Sequence, residues 1–169
     1  KVMELPLFGL LRPHFPGASV TPAEVAETIG GKVLLNYKND PDYKNTCAIR
    51  LSRALNYAGE KHRIPGPAEA ANYGIKVNSG DDRRWYVFRV NDLVRFLGAR
   101  YGPPVDIPRP AVGSWESAIT GKRGIIHFRV IGWSDAAGHL DLWDSDACLG
   151  KAYFNPSTGV CDAVRLWEC

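Results

Sequence analysis

The sequence predicts an α+β fold in a single domain that spans residues 1–169. Three observations support this prediction. Segments with helical periodicity come first along the chain, and segments with alternating apolar residues dominate its last third. Helices followed by a run of strands are typical of α+β domains. A chain of 169 residues is also long enough to bury one hydrophobic core.

The composition argues against several classes of protein. Hydrophobic residues make up 45% and charged residues 23% of the chain, which is ordinary for a globular protein and unlike a disordered one. The net charge is only +3, and the basic residues are scattered rather than gathered into the block that marks a nucleic-acid arm. We recognise no signal peptide and no apolar run that could span a membrane.

The first well-marked helix follows Thr21, in the stretch "TPAEVAETIGG". Thr21 is suited to the N-cap, Pro22 to the first helical position, and Glu24 completes a capping box. Gly30 and Gly31 are expected to end the helix. The following stretch, "NYKNDPDYKN", is predicted to be a polar loop.

A second helix is predicted from about Cys47 to Ala58, with Asn45 or Thr46 as its cap and Gly59 at its end. Its apolar face comprises Cys47, Leu51, Ala54, Leu55 and Ala58, which recur at helical spacing. Cys47 therefore lies on the side that faces the core, at the end of the helix where that side meets solvent.

The rest of the chain is predicted to form one more helix and a mostly antiparallel sheet. Residues 60–82 are expected to form a long surface loop, because they are rich in Pro, Gly and Asn. "RWYVFRV" reads as a strand, "NDLVRFLGARYG" as a helix and "GPPVDIPRP" as an extended connection. "RGIIHFRVIGW" and "HLDLW" alternate and should pair; "KAYF" and "AVRLWEC" read as further short strands.

The four cysteines, Cys47, Cys148, Cys161 and Cys169, do not have the paired short spacing of a zinc site. Three of them lie near the C-terminus, which favours one disulfide there and a free thiol at Cys47. The alternative is that all four are reduced and pack as small apolar residues.

Cys47 is the candidate nucleophile, because a helix N-terminus favours the thiolate through its unpaired N–H groups. A nearby imidazole would complete the activation. His14 and His62 are interpreted as surface residues, and His127 lies in the middle of a predicted strand. His139 begins a strand that can pack against the cysteine helix, so it is the candidate base. The alternative for Cys47 is a buried structural thiol.

Three acidic residues, Asp141, Asp144 and Asp146, follow His139 closely. Any of them could orient the imidazole through its second ring nitrogen, as the third member of a catalytic triad does. Each could equally belong to a solvated acidic turn. The sequence has no phosphate-binding loop or dinucleotide fingerprint.

Several motifs together resemble a known family. "NTCAIRLSRALNYAG", "YVFRVNDL", "GKRGII", "GWSDAAGHLDLW" and the final "LWEC" are similar, in order, to the fourth family of type VI secretion amidase effectors. That family resembles the NlpC-type, papain-like cysteine peptidases. The similarity runs from about Gly31 to the C-terminus and therefore covers most of the chain.

The resemblance implies a papain-like core in which the cysteine helix packs on an antiparallel sheet. It implies an antibacterial peptidoglycan amidase, delivered by type VI secretion into the periplasm of a target bacterium, that cuts the stem peptide between D-glutamate and meso-diaminopimelate. Cys47 would be the nucleophile and His139 its base, with no metal or cofactor. A cognate periplasmic immunity protein is the implied partner.

The sequence departs from the family at the third catalytic position, where the family spacing falls on Gly150. Asp146 is the expected substitute, with Asp144 or a backbone carbonyl as alternatives. This departure leaves a second reading open, namely a catalytically inactive wall-binding or protein-binding module on the same fold.

Two residues are candidates for substrate binding. Arg50, one turn after Cys47, is expected either to contact stem-peptide carboxylates or to form a surface salt bridge. Trp133 is expected to line the groove or to belong to the core. The resemblance also implies a disulfide from Cys148, for which Cys161 or Cys169 would be the partner.

Overall fold

The computed structural model describes residues 2–133 and 138–169. Its α-helices are α1 (Phe8–Leu11), α2 (Pro22–Ile29), α3 (Gly31–Asn39), α4 (Cys47–Asn56), α5 (Pro67–Asn72) and α6 (Val90–Tyr101). Its strands are β1 (Val77–Ser79), β2 (Trp85–Val87), β3 (Val105–Asp106), β4 (Arg123–Ile131), β5 (Gly138–Asp144), β6 (Ala147–Cys148) and β7 (Val160–Glu168). None of the described helices is long and apolar enough to cross a membrane.

The main sheet has the strand order β3-β7-β4-β5-β6, and its neighbouring strands are antiparallel. Strands β1 and β2 form a separate hairpin. The predicted α+β class is confirmed, with the helices preceding the main sheet along the chain. The alternating segments pair as expected, because β4 lies between β5 and β7.

The main sheet is buried on both faces. On one face, Leu140 and Leu142 of β5 pack with Leu51 and Leu55 of α4, and α6 joins the same cluster. On the other face, residues including Phe128 and Trp143 pack against segments outside the sheet. This second layer is supplied by irregular chain, which periodicity does not detect.

Helix α4 positions the candidate nucleophile. The Cys47 N–H donates to Asn45 Oδ1 at 3.2 Å, so the side chain of Asn45 caps the first turn. Ser52 and Asn56 anchor the helix to the β2 strand through hydrogen bonds at Val87 and Trp85. The observed helix ends at Asn56, two residues before the predicted end.

Two predicted loops are wrong. Gly30 and Gly31 have positive φ values of 70° and 58° and turn the chain directly into α3 instead of releasing it into a loop. Residues 60–82 contain α5 and β1 and contribute buried side chains such as Ile64 and Ile75 to the core. Proline and glycine there mark the ends of short elements.

The predicted disulfide is also wrong, since all four cysteines are free. Cys161 and Cys169 lie at opposite ends of β7. Cys148 lies on β6, three strands away from β7. At about 4.8 Å per strand, this places it roughly 14 Å away along the sheet, well beyond disulfide reach.

Two histidines expected on polar surfaces are buried. His62 bonds to the Tyr101 hydroxyl at 2.8 Å. His127 of β4 is 3% exposed, and neither of its ring nitrogens has a hydrogen-bond partner among the described residues. Burial, with a smaller contribution from the nearby cations Arg165 and Arg129, lowers the pKa of His127 to about 4.

The burial of His127 predicts that the free energy of unfolding falls in mild acid. Because the folded-state pKa of His127 is below its ordinary value of 6.5, the unfolded chain binds more protons between these pH values. The contribution of His127 to stability is therefore complete above pH 6.5 and lost as the pH falls towards 4. His127→Leu should show a shallower loss of unfolding free energy between pH 7 and 5 than the parent, measured by urea unfolding. Equal pH dependence in both proteins would contradict this assignment.

Candidate active site

Cys47 lies at the mouth of a cavity of about 330 Å³. The residue is 4% exposed and begins α4, so its backbone is fixed by the helix while its side chain borders the cavity. His139 and Asp141 of β5 line the same cavity. The start of α4 and the first residues of β5 thus bring the three groups together, because α4 packs against β5.

His139 is held between Cys47 and Asp141. Its Nε2 atom lies 2.6 Å from Asp141 Oδ2, and its side chain is 14% exposed. Burial lowers the pKa of His139, but hydrogen bonds to Asp141 and Cys47 outweigh that effect and raise the pKa to about 9. The site therefore favours an imidazolium at neutral pH.

Asp141 is fully buried at 0% exposure and accepts four hydrogen bonds. Besides His139, its donors are the backbone N–H groups of Leu142 at 2.8 Å and of Gly150 and Lys151 at 3.0 Å each. All of these groups act as donors when His139 is charged, so the environment suits an ionised carboxylate. The carboxylate in turn fixes the orientation of the imidazole.

The structure puts Asp141, and not Asp146, against His139. Asp146 is exposed in the turn after β5, where its N–H bonds to the Asp144 carbonyl at 2.7 Å. Asp144 pairs with Arg123 at 2.9 Å. His139 and Asp141 point to the same face of β5, because alternate residues of a strand do so. The turn begins roughly 17 Å from His139 along the strand. The expected position of the third residue was therefore wrong.

Gly150, which stands where the family spacing expects the third catalytic residue, packs directly against the Asp141 carboxylate. A Cβ atom at this position would overlap the Asp141 carboxylate. The backbone of residues 150–151 instead approaches close enough to donate two hydrogen bonds to Asp141. An acid at position 141 and a glycine at position 150 are therefore sterically matched.

Arg50 lines the cavity and forms no ion pair with the described residues. Its guanidinium donates to Thr46 Oγ1 at 3.0 Å and to three backbone carbonyls, those of Pro16 at 3.0 Å, Gly17 at 2.9 Å and Val20 at 2.7 Å. Burial lowers the pKa of this guanidinium. Arg50 ties residues 16–20 to α4, and that segment forms one wall of the cavity.

Trp133 lines a second, more polar cavity of about 520 Å³. Its Nε1 donates to the Thr158 carbonyl at 2.9 Å, and its ring meets Tyr153 edge-on at 5.0 Å between centroids. Residues 134–137, part of the "WSDAAG" segment, lie outside the described residues. The residues shared by both cavities are Lys44, Asn45, His139, Lys151 and Tyr153.

Sequence reasoning missed Lys151 and Tyr153 as site residues. Tyr153 packs edge-on against His139 at 4.8 Å between ring centroids. Both residues belong to "KAYF", which was predicted to be a strand and is irregular in the structure. No local pattern marks them, because backbone bonds to Asp141 and packing on His139 determine their positions. Among residues 2–133 and 138–169, no three His, Cys, Asp or Glu side chains cluster to hold a metal.

Several solved structures that are similar to this chain are type VI effectors. The effector Tae4 from Enterobacter cloacae is 30% identical with a TM-score of 0.83, and the alignment covers 99% of both chains. The Tae4–Tai4 effector–immunity complex from the same organism contains a chain that is 33% identical, with a TM-score of 0.79 and 97% and 98% coverage. The corresponding Tae4–Tai4 complex from Salmonella Typhimurium contains a chain that is 29% identical, with a TM-score of 0.79. The alignment covers 98% of this chain and 99% of that chain. Curated protein sequences give no match.

The profile of one protein family matches residues 43–167, which is most of the chain and includes Cys47, His139 and Asp141. This match agrees with the structural similarity over nearly the whole length. The chain therefore belongs to the Tae4 family, type VI secretion system amidase effector protein 4.

Proposed function

We propose that this amidase effector is a cysteine peptidase that cleaves the stem peptide between D-glutamate and meso-diaminopimelate. Family membership makes the chain an antibacterial peptidoglycan amidase. The observation that supports cysteine catalysis is the arrangement of Cys47, His139 and Asp141 at one cavity. The choice of bond rests on the sequence resemblance described above.

In the first step, His139 holds the proton of Cys47, and the thiolate attacks the carbonyl carbon of the γ-glutamyl amide. A C–S bond forms, and the carbonyl electrons move onto oxygen. Asp141 stays ionised and stabilises the imidazolium through the 2.6 Å contact with Nε2. The pKa of His139, raised to about 9, matches a group that is charged before and during this step.

Asn45 is positioned to stabilise the oxyanion. The Cys47 N–H is a natural oxyanion donor because it belongs to the nucleophile, but it is already bonded to Asn45 Oδ1. That bond uses the Oδ1 atom of Asn45 and not its amide nitrogen, and Asn45 lines both cavities. We propose that Asn45 Nδ2 donates to the oxyanion and that the Cys47 N–H joins it when substrate binds.

In the second step, the His139 imidazolium gives its proton to the leaving amine of diaminopimelate as the C–N bond breaks. A water molecule then attacks the thioester, with His139 accepting its proton, and the C–S bond breaks to regenerate Cys47. The chemistry needs only these side chains and water.

The two connected cavities supply the substrate groove. Trp133 is proposed to form a wall of the polar cavity, where its ring is fixed by Tyr153 and Thr158. Arg50 is proposed to act on substrate through the wall that it holds rather than by direct contact, because its donors already bind Thr46 and backbone carbonyls.

The alternative of an inactive binding module rested on the missing third residue of the triad. We propose Asp141 for that position, because its carboxylate contacts His139 and accepts hydrogen bonds from the backbone of Gly150 and Lys151. No described feature of the site favours a binding function over catalysis.

The solved relatives from Enterobacter cloacae and Salmonella Typhimurium include effector–immunity complexes of Tae4 with Tai4. We propose that this chain acts in the periplasm of a target bacterium and has a cognate immunity protein there. Such a partner, seated over the groove, would slow alkylation of Cys47.

The proposed function predicts that the purified protein releases products cut between D-glutamate and diaminopimelate from Gram-negative sacculi. Cys47→Ala should release none, because the thiol is the nucleophile. Mass spectrometry of the muropeptides reports the bond. Cys169→Ala, which removes a thiol remote from the cavities, should cleave as the parent does. Cleavage by Cys47→Ala would exclude this mechanism.

The oxyanion role of Asn45 predicts that Asn45→Ala lowers kcat by about 10²-fold. Alkylation of Cys47 by iodoacetamide forms no tetrahedral oxyanion, so its rate should stay within about threefold of the parent's. Asn45→Asp separates this role from helix capping, because Asp caps equally well but lacks the amide donor. Asn45→Asp should keep the melting temperature and lose hydrolysis. Hydrolysis near the parent rate in Asn45→Ala would exclude the assignment.

A further inference from the structure

The described walls of the two cavities carry more positive than negative charge. Lys44, Arg50 and Lys151 are cations that line one or both cavities. The one acidic residue in either described wall is Asp141, which is 0% exposed and bonded to His139. A ligand in the groove therefore meets a positive surface.

Two of these three cations already have partners. Arg50 donates to Thr46 and to backbone carbonyls. Lys44 Nζ donates to the Tyr37 carbonyl at 3.1 Å and lies 4.5 Å from the centroid of the Tyr37 ring. Lys151 is exposed and forms no ion pair with the described residues.

Lys151 is also fixed close to the reacting groups. Its backbone N–H donates to Asp141 at 3.0 Å, and its ammonium lies 5.2 Å from the centroid of the Tyr153 ring. Tyr153 itself packs on His139 at 4.8 Å between centroids. The main chain of Lys151 is thus anchored to the triad while its charge stands at the junction of the two cavities.

We propose that Lys151 is a specificity residue that binds a carboxylate of the stem peptide beside the scissile amide. This inference rests on the proposed cleavage site. D-Glutamate linked through its γ-carbonyl keeps a free α-carboxylate, and diaminopimelate carries a side-chain carboxylate on the other side of the bond. A compact ammonium is suited to either carboxylate, since it acts as a point charge.

The test compares kcat/KM for three synthetic stem peptides. The first has both of these carboxylates free. The second has the α-carboxyl of D-glutamate as a carboxamide, and the third has lysine in place of diaminopimelate, which removes only the side-chain carboxylate. The parent should prefer the first peptide by roughly tenfold over one of the other two, because a charged hydrogen bond is lost there. The weaker peptide identifies which carboxylate Lys151 binds.

Lys151→Met should abolish that preference, and Lys151→Arg should restore most of it. In Lys151→Met, iodoacetamide should alkylate Cys47 at the parent rate, because the backbone N–H of residue 151 still donates to Asp141. Lys122→Met is the matched charge control. Lys122 precedes β4, six residues from the register position of His139, about 20 Å away at strand spacing. This control should keep the parent's preference.

Each outcome identifies what failed. If the parent cleaves no peptide, the proposed function is wrong. If the parent cleaves all three equally, or if Lys151→Met keeps the parent's preference, the amidase reading stands and the role of Lys151 is wrong.

Discussion

The site depends on the fully buried carboxylate of Asp141 and the four hydrogen bonds that it accepts. A buried charge is costly unless it is paired and hydrogen-bonded. Here, the partners belong to β5 itself, to the backbone at Gly150 and Lys151, and to the imidazole of His139. The same carboxylate therefore fixes the segment that carries Lys151 and Tyr153, and it keeps the imidazole charged next to Cys47.

Hydrogen bonds extend this constraint around the cavity. The N–H of Ala18 donates to the Leu149 carbonyl at 3.0 Å, which joins the N-terminal segment to the chain that holds Asp141. Arg50 joins the same segment to α4. Hydrogen bonds therefore connect the helix that carries Cys47, the cavity wall at residues 16–20 and the segment that binds Asp141. A change at one point, such as a bulkier residue at Gly17 against Leu149, should disturb the others.

The sequence predicted the elements whose signals are local. Capping at Thr21 and strand alternation in β4 and β5 predicted a helix and the sheet, and the predicted helix start at Cys47 is the first residue of α4. It failed where tertiary contacts decide. Asp146 and Asp141 look equivalent in sequence, and only the approach of Gly150 selects Asp141. The donors of Arg50 bind carbonyls 30 to 34 residues away, which no local pattern encodes.

The central claim is that Asp141 keeps His139 protonated beside Cys47. Its most direct test is an NMR titration of the His139 imidazole in the parent, Asp141→Asn and Asp146→Asn. In the parent, the pKa should lie near 9, well above the ordinary 6.5. Asp141→Asn should lower the pKa of His139 by more than one unit, because burial then outweighs the remaining contact, and Asp146→Asn should leave it unchanged. An unchanged pKa in Asp141→Asn, or a lowered one in Asp146→Asn, would contradict the account.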